Sequence, residues 1–188
     1  AMTGALAAGK KQMDLFGVEI IGCVTAIGGG TLRDMLLGNY PIIWIENAHY
    51  LLAIAAASLL TVMIAPLMRY LSRLFLAIDA IGLAVFSIVG AQKTLMLGYS
   101  AEIAIVMGVV TGVFGGVIRD VLAGDMPLLL KGELYAITCI FGGIVYTQLS
   151  HWALPVEVIM VCAMSATLGL RLLAIHHKWV IHIFKYPE

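Results

Sequence analysis

The stretch TAIGGGTLRDMLLGNYP at 25–41 decides the fold, because it returns as TGVFGGVIRDVLAGDMP at 111–127. Slid on itself by 86 positions (111 minus 25), the chain matches without a gap from Gly4–Pro41 to Gly90–Pro127. Apolar residues from any two membrane helices coincide by chance. An Arg-Asp pair behind paired glycines in both copies does not: Gly29, Gly30, Arg33 and Asp34 fall on Gly115, Gly116, Arg119 and Asp120. We read the match as a duplication.

Composition identifies the solvent. Of 188 residues, 62% are hydrophobic and 12% charged, with a mean hydropathy of +1.02. A soluble domain carries roughly a quarter charged residues, so this chain has too little polar surface to coat a water-soluble globule, and lipid must surround it. The net charge of zero lacks the basic surface that nucleic acid demands. Cys23, Cys139 and Cys162 sit in apolar runs without metal-ligand spacing and read as buried small hydrophobes. His49, His151, His176, His177 and His182 lie at the edges of apolar runs, where a polar ring reaches headgroups or water. No metal site or cofactor is expected. Ser58, Ser87 and Ser165 have no local His partner, and no phosphate loop is visible, so an enzyme is not expected either.

Working outward from the repeat, apolar runs of about 20 residues, enough to cross a bilayer, mark the spans. The second covers Phe16 to Leu37, the third His49 to Pro66, the fourth Arg73 to Leu97 and the fifth Ala101 to Ala123. The sixth covers Leu134 to Trp152 and the seventh Pro155 to Ile175. Ala1 to Gly9 read as the tail of a first helix whose beginning is absent. The expectation is an all-α membrane protein with seven transmembrane helices in one domain, 1–188. Repeat one is 1–66 with an incomplete first helix, repeat two is 73–152, and the seventh helix is 155–176. Three spans per unit is an odd number, so the second repeat must enter the membrane from the opposite side, an inverted arrangement that recurs in membrane permeation sites. Lys10, Lys11, Arg69, Arg73, Lys131, Lys178 and Lys185 alternate with loops at 39–47 and 150–157 that hold no Lys or Arg. By the positive-inside rule, the N-terminus lies outside and the C-terminus in the cytoplasm.

Gly28, Gly29 and Gly30 fall near the middle of span two, and Gly115 and Gly116 correspondingly in span five. Consecutive glycines cost a helix about 1 kcal/mol each relative to Ala and are common kink sites. A loosened backbone is tolerated in lipid only if it is packed in protein or lines a wet cavity. Carbonyls released there offer ligands to a cation; alternatively, the glycines only permit close packing. Gly22, Ala26 and Gly30, with Gly108, Gly112 and Gly116, form small-residue ridges suited to helix packing. About 100° around each helix runs a second stripe, Thr25, Gly29 and Arg33 in one copy and Thr111, Gly115 and Arg119 in the other, which we read as pore lining.

Arg33 and Arg119 are costly at membrane depth unless paired or wet, and inversion places Arg33 toward the outer face and Arg119 toward the inner. Asp34 and Asp120 continue the packing ridges and should point away from their neighbours, binding loop backbone, capping a helix start or pairing with Lys residues, in a structural or an ion-attracting role. Asp79 in span four needs a partner. Lys93, fourteen positions on (93 minus 79), is about 21 Å along the same helix, too far to be that partner; it either belongs to the site or snorkels to the interface. Glu19, Glu102 and Glu157 stand near helix starts, where an anion is favoured.

GALAAGKKQMDLFGV at 4–18, TAIGGGTLRDMLLG at 25–38, AIDAIGLAVFSIVGAQK at 77–93 and TGVFGGVIRDVLAGDMP at 111–127 together resemble the prokaryotic TRIC channel family, which has also been labelled a glycine transporter domain family. The likeness covers nearly the whole chain. It implies a homotrimer in the bacterial inner membrane in which each protomer has its own pore, formed mainly by kinked second and fifth helices. It implies selectivity for monovalent cations, mainly potassium with sodium also passing, and no fixed metal. The matching positions are Gly28, Gly29, Gly30, Arg33, Asp34, Gly115, Gly116, Arg119 and Asp120. In the animal members a basic motif on the fifth-helix region binds a phosphoinositide headgroup. Here Arg119 stands alone without a Lys-Glu-Val run, and a bound lipid stays an open accompaniment. Two other functions fit the same pattern: a carrier of glycine or another small amino acid, with Arg33 or Arg119 for the carboxylate and Asp79 for the ammonium, and a non-conducting structural protein in which the glycines only pack.

Overall fold

The computed structural model describes residues 1–65, 71–131, 134–152 and 154–180, with 71–73 as helix backbone. Pro66, Arg69, His182 and Lys185, named above, lie outside the described residues, as does the side chain of Arg73. The described chain is helical: α1 (Met2–Lys10), α2 (Leu15–Leu36), a single turn α3 (Ile43–Glu46), α4 (His49–Ile64), α5 (Leu71–Met96), α6 (Ala101–Leu122), a 3-10 turn (Leu128–Leu130), α7 (Tyr135–Leu149) and α8 (Val156–His176). The expected second and fifth spans are therefore α2 and α6. Four helices, α2, α5 from Leu74, α6 and α8, are long and apolar enough to cross a membrane; α4 and α7 are apolar but shorter.

Local chemistry sets the helix ends. Asp14 caps α2 by accepting a hydrogen bond from Gly17 N at 2.7 Å, satisfying one of the free amides of the first turn. α2 and α6 stop in the same way. Gly38 (φ +63°) and Gly124 (φ +70°) take the left-handed conformation that terminates a helix. Asn39 N then donates to Asp34 O, and Asp125 N to Asp120 O, both at 2.8 Å. After each of these stops comes a proline and a short turn, α3 behind Pro41 and the 3-10 turn behind Pro127. Glu102 and Glu157 stand in the first turns of α6 and α8, but Glu19 is a full turn inside α2, because Asp14 moves the start of that helix forward.

α2 and α6 cross at the centre of the molecule, running antiparallel. Tyr99, just before α6, donates its hydroxyl to Leu37 O, just after α2, at 3.1 Å. Lys11, just before α2, pairs with Asp125, just after α6, at 2.6 Å. At the crossing, a Cβ on Gly29 would collide with Thr111 O, and one on Gly115 would collide with Thr25 O. Both helices continue through these glycines without interruption. Backbone presses on backbone where a side chain would separate the helices.

Contacts repeat at the sequence offset. A Cβ on Gly4 in α1 would meet Ile21 O and Thr25 Oγ1, while one on Gly90 in α5 would meet Met107 O and Thr111 Oγ1. The two threonine hydroxyls donate back to those carbonyls, each at 2.6 Å, as lone hydroxyls in membrane helices do. Gly108 and Gly112 of the small-residue ridge pack on α5 at Ser87 and Leu83, and Gly22 packs on Ser58 of α4. α8 joins through Ile159 and Ala163, which pack with Ile88, Ala104 and Tyr146. Cys139 is buried as expected, whereas Cys23 is half-buried and Cys162 is exposed on α8.

Gly29→Ala and Gly115→Ala should each force the helices apart and lower stability by about 1–3 kcal/mol, the usual cost of overpacking. Gly169 in α8 has nothing within 4 Å of an added Cβ, so Gly169→Ala should be neutral or stabilising by up to about 1 kcal/mol. Thermal unfolding of the three variants in detergent measures the difference.

Candidate functional site: a charged cavity at the helix crossing

A cavity of about 580 Å³ opens along the crossing, walled by α2, α5 and α6 with α3, α4 and α7 at its edges. Thr25, Gly29, Gly30 and Arg33 line it from α2, Thr111, Gly115, Gly116 and Arg119 from α6, and Asp79 from α5. The sequence stripe faces this cavity, and so do Ala26, Gly30, Gly112 and Gly116 of the small-residue ridge. Gly28 turns instead toward the Ile118 side chain and Gly115 Cα. Asp34 and Asp120 stand behind the lining in contact with the arginines, and Lys93 stands there in contact with Asp34.

The second glycine of each pair has its own task. In a helix the side chain leans back toward the N-terminus, so Arg33 folds over Gly30 and Arg119 over Gly116. An added Cβ would lie 3.9 Å from Arg33 Nη2 and 3.5 Å from Arg119 Nη2. At this depth each guanidinium needs a counter-ion. Arg33 finds one in Asp34, with Nε donating to Oδ1 at 2.9 Å and Nη2 to the same oxygen at 2.8 Å. Arg119 repeats the contact on Asp120, Nε to Oδ1 at 2.8 Å. This corrects the expectation that the carboxylates point away from their neighbours. Adjacent Cβ atoms do diverge, but the long arginine stem wraps around the helix to close the gap.

Beyond that shared motif the two ends differ. Lys93 donates to the other oxygen of Asp34 at 3.0 Å, which assigns Lys93 to the buried site rather than to the interface alone. Arg119 Nη1 donates to Asp79 Oδ1 at 2.7 Å, and Tyr135 OH donates to Asp79 Oδ2 at 2.8 Å. Asp79 thus has its partners on α6 and α7. Asp120 Oδ2 accepts from Leu128 N at 3.0 Å, fixing the 3-10 turn to the end of α6. Arg119 also stands 4.8 Å over the Phe75 ring, and Arg171 of α8 stands 4.9 Å over the Tyr135 ring.

Three residues of this arrangement escaped the sequence reading. Arg171 is 2% exposed in the apolar α8, and an intramembrane arginine is by itself a signal. Tyr135 carries no such signal, since its role depends on Asp79 reaching it from another helix. Trp44 on α3 lines the cavity near Arg33 and donates from Nε1 to Thr31 Oγ1 at 3.0 Å. Its repeat position holds Leu130, so no pattern in the duplication announces it.

With this geometry in hand, comparison with known proteins places the chain. A family model described as glycine transporter matches residues 1–66 and again 76–151. The UPF0126 inner membrane protein YadS of Escherichia coli is 44% identical over the whole of this chain and 92% of its own length. A UPF0126 membrane protein of Vibrio cholerae is 45% identical over 95% of this chain and 74% of its own. Among solved structures, a TRIC trimeric intracellular cation channel orthologue from Rhodobacter sphaeroides superposes with a TM-score of 0.91 at 35% identity, over 95% of this chain and 92% of that one. A second structure, described as showing conductance through TRIC cation channels, gives 0.90 at 35% identity over 100% and 92%. By two matched segments, relatives of nearly equal length and a shared fold, the chain belongs to the TRIC family of membrane proteins, the family whose model is described as glycine transporter.

Proposed function

We propose that the chain is a monovalent cation channel of the bacterial inner membrane, passing potassium and also sodium through a pore in each protomer of a homotrimer. The observation that carries this reading is the cavity at the crossing of α2 and α6, with buried charge clusters toward both ends, in a fold shared with solved TRIC cation channels. Antiparallel α2 and α6 and contacts repeating at one offset support two inverted three-helix repeats, with α1, α4 and α7 completing seven spans. The N-terminus lies outside, and Arg33 stands at the outer mouth.

Two arginines in a cation path look contradictory until their partners are counted. Arg119 has two carboxylates, Asp79 and Asp120, so this end does not repel a cation as a lone guanidinium would. Conduction is passive electrodiffusion past Thr25, Gly29, Gly30, Thr111, Gly115 and Gly116, with the charged clusters tuning passage. No metal is fixed; the cations are permeant.

The carrier reading rests on the description of the family model. It needs an acceptor for the ammonium of glycine, and both oxygens of Asp79 are already engaged, by Arg119 and Tyr135. Purified protein in vesicles under a potassium gradient, with glycine flux followed in the same vesicles, separates the two. Potassium current without saturable glycine uptake is expected, glycine uptake without current would replace the channel by the carrier, and neither flux would leave a structural protein. Arg119→Ala strips two buried carboxylates of their guanidinium. It should lower stability by about 3–5 kcal/mol and change open probability or selectivity in the trimers that remain assembled. Unaltered single-channel currents from those trimers would remove Arg119 from the conducting machinery.

A further inference from the structure

Phe75 lies one turn before Asp79 on α5, so the two share a face of that helix. Both reach Arg119. Asp79 takes its Nη1 at 2.7 Å, and the Phe75 ring stands 4.8 Å from the guanidinium carbon. The same ring carries the ammonium of Lys10, the last residue of α1, also at 4.8 Å. Two side-chain cations from different helices thus share one ring.

Their surroundings differ. Arg119 is fully buried and lines the cavity, whereas Lys10 is exposed. At this end the cavity stops at Arg119, Asp79 and Tyr135, none of them more than 8% exposed. Neither Phe75 nor Lys10 borders it. From the buried guanidinium to the exposed ammonium, the contacts run through a single side chain, the half-buried Phe75. Beyond it lies a surface of lysines. There the hydrogen bond from Lys11, with the charges of Lys131 and Lys10 nearby, holds the exposed Asp125 carboxyl below the usual carboxylate range.

We propose that Phe75 gates the cation path at the Arg119 end: the path is shut while Lys10 and Arg119 hold the ring, and opens when the ring leaves them. The inference rests on the channel reading above. A cation is drawn to the face of an aromatic ring, weakly in water and more strongly where water is excluded. The Lys10 contact is of the first kind and the Arg119 contact of the second. Contacts made only in the shut state favour that state, so removing either shifts the balance toward open. With the ring displaced, an ion that has passed Arg119 leaves between the helices that carry Lys10, Phe75 and Arg119.

Single-channel recording in planar bilayers, with potassium chloride on both sides, tests this through the ratio of open to closed time. Phe75→Leu fills much of the space without an aromatic face and should raise the ratio about tenfold or more. Phe75→Tyr keeps the ring and should keep the wild-type ratio. Lys10→Met removes the exposed contact alone and should raise the ratio about two- to fivefold. Lys131→Met makes the same change of charge at the same end away from the ring, and should leave the ratio as it is. A ratio unmoved by Phe75→Leu, or equal shifts from Lys10→Met and Lys131→Met, overturns the inference and leaves the channel intact. So does a wild-type channel that never closes. Should Phe75→Leu not assemble, the two lysine variants decide, since both residues lie on the surface. Absence of any potassium current from wild-type protein that takes up glycine would instead overturn the channel reading, and the gate with it.

Discussion

At the centre of this molecule, two carbonyl oxygens rest where two side chains would otherwise be. Thr111 O occupies the space of a Gly29 Cβ and Thr25 O that of a Gly115 Cβ. Without a hydrophobic drive between helices in lipid, association depends on such close backbone approach. Gly29 and Gly115 also set the register of everything else on α2 and α6. Each arginine lies four residues, about 6 Å, beyond its crossing glycine, and the antiparallel course of the helices sends the two in opposite directions. The cavity is then bounded by charge at both ends and by small residues at its waist.

Buried charges survive there because they are networked. Taking one partner from a buried pair typically costs about 3–5 kcal/mol, and removing Arg119 or Asp79 strands a group on a different helix. Arg119 binds α6 to α5 through Asp79, and Asp79 binds α7 through Tyr135. Lys93 binds α5 to α2 through Asp34. The same contacts that satisfy the charges tie together the helices that wall the cavity, so electrostatics and architecture cannot be altered separately.

The duplication and the four apolar helices long enough to cross a membrane are legible in the sequence, because each depends on spacing along one chain. The Thr25, Gly29, Arg33 stripe and its copy follow from helical periodicity alone. What the sequence hid depends on distance in space. The partners of Asp79 come from α6 and α7, and that of Lys93 from α2. Both helices run on through their glycines, because intrinsic propensity, about 1 kcal/mol per glycine, yields to tight packing in a solvent that offers no alternative hydrogen bonds. The Arg-Asp contact depends on side-chain reach, which Cβ directions along the helix do not convey. Arg171 is the exception, since its residue type and apolar surroundings are plain in the sequence itself.

Trp44 has a consequence of another kind. Of the three tryptophans, Trp152 and Trp179 are 67% and 45% exposed on the periphery, whereas the indole of Trp44 is half-buried, borders the cavity and is held to Thr31. Indole emission shifts with the polarity around the ring. The protein thus carries a built-in optical gauge at one entrance, able to report whether that chamber is wet or dry without any added label.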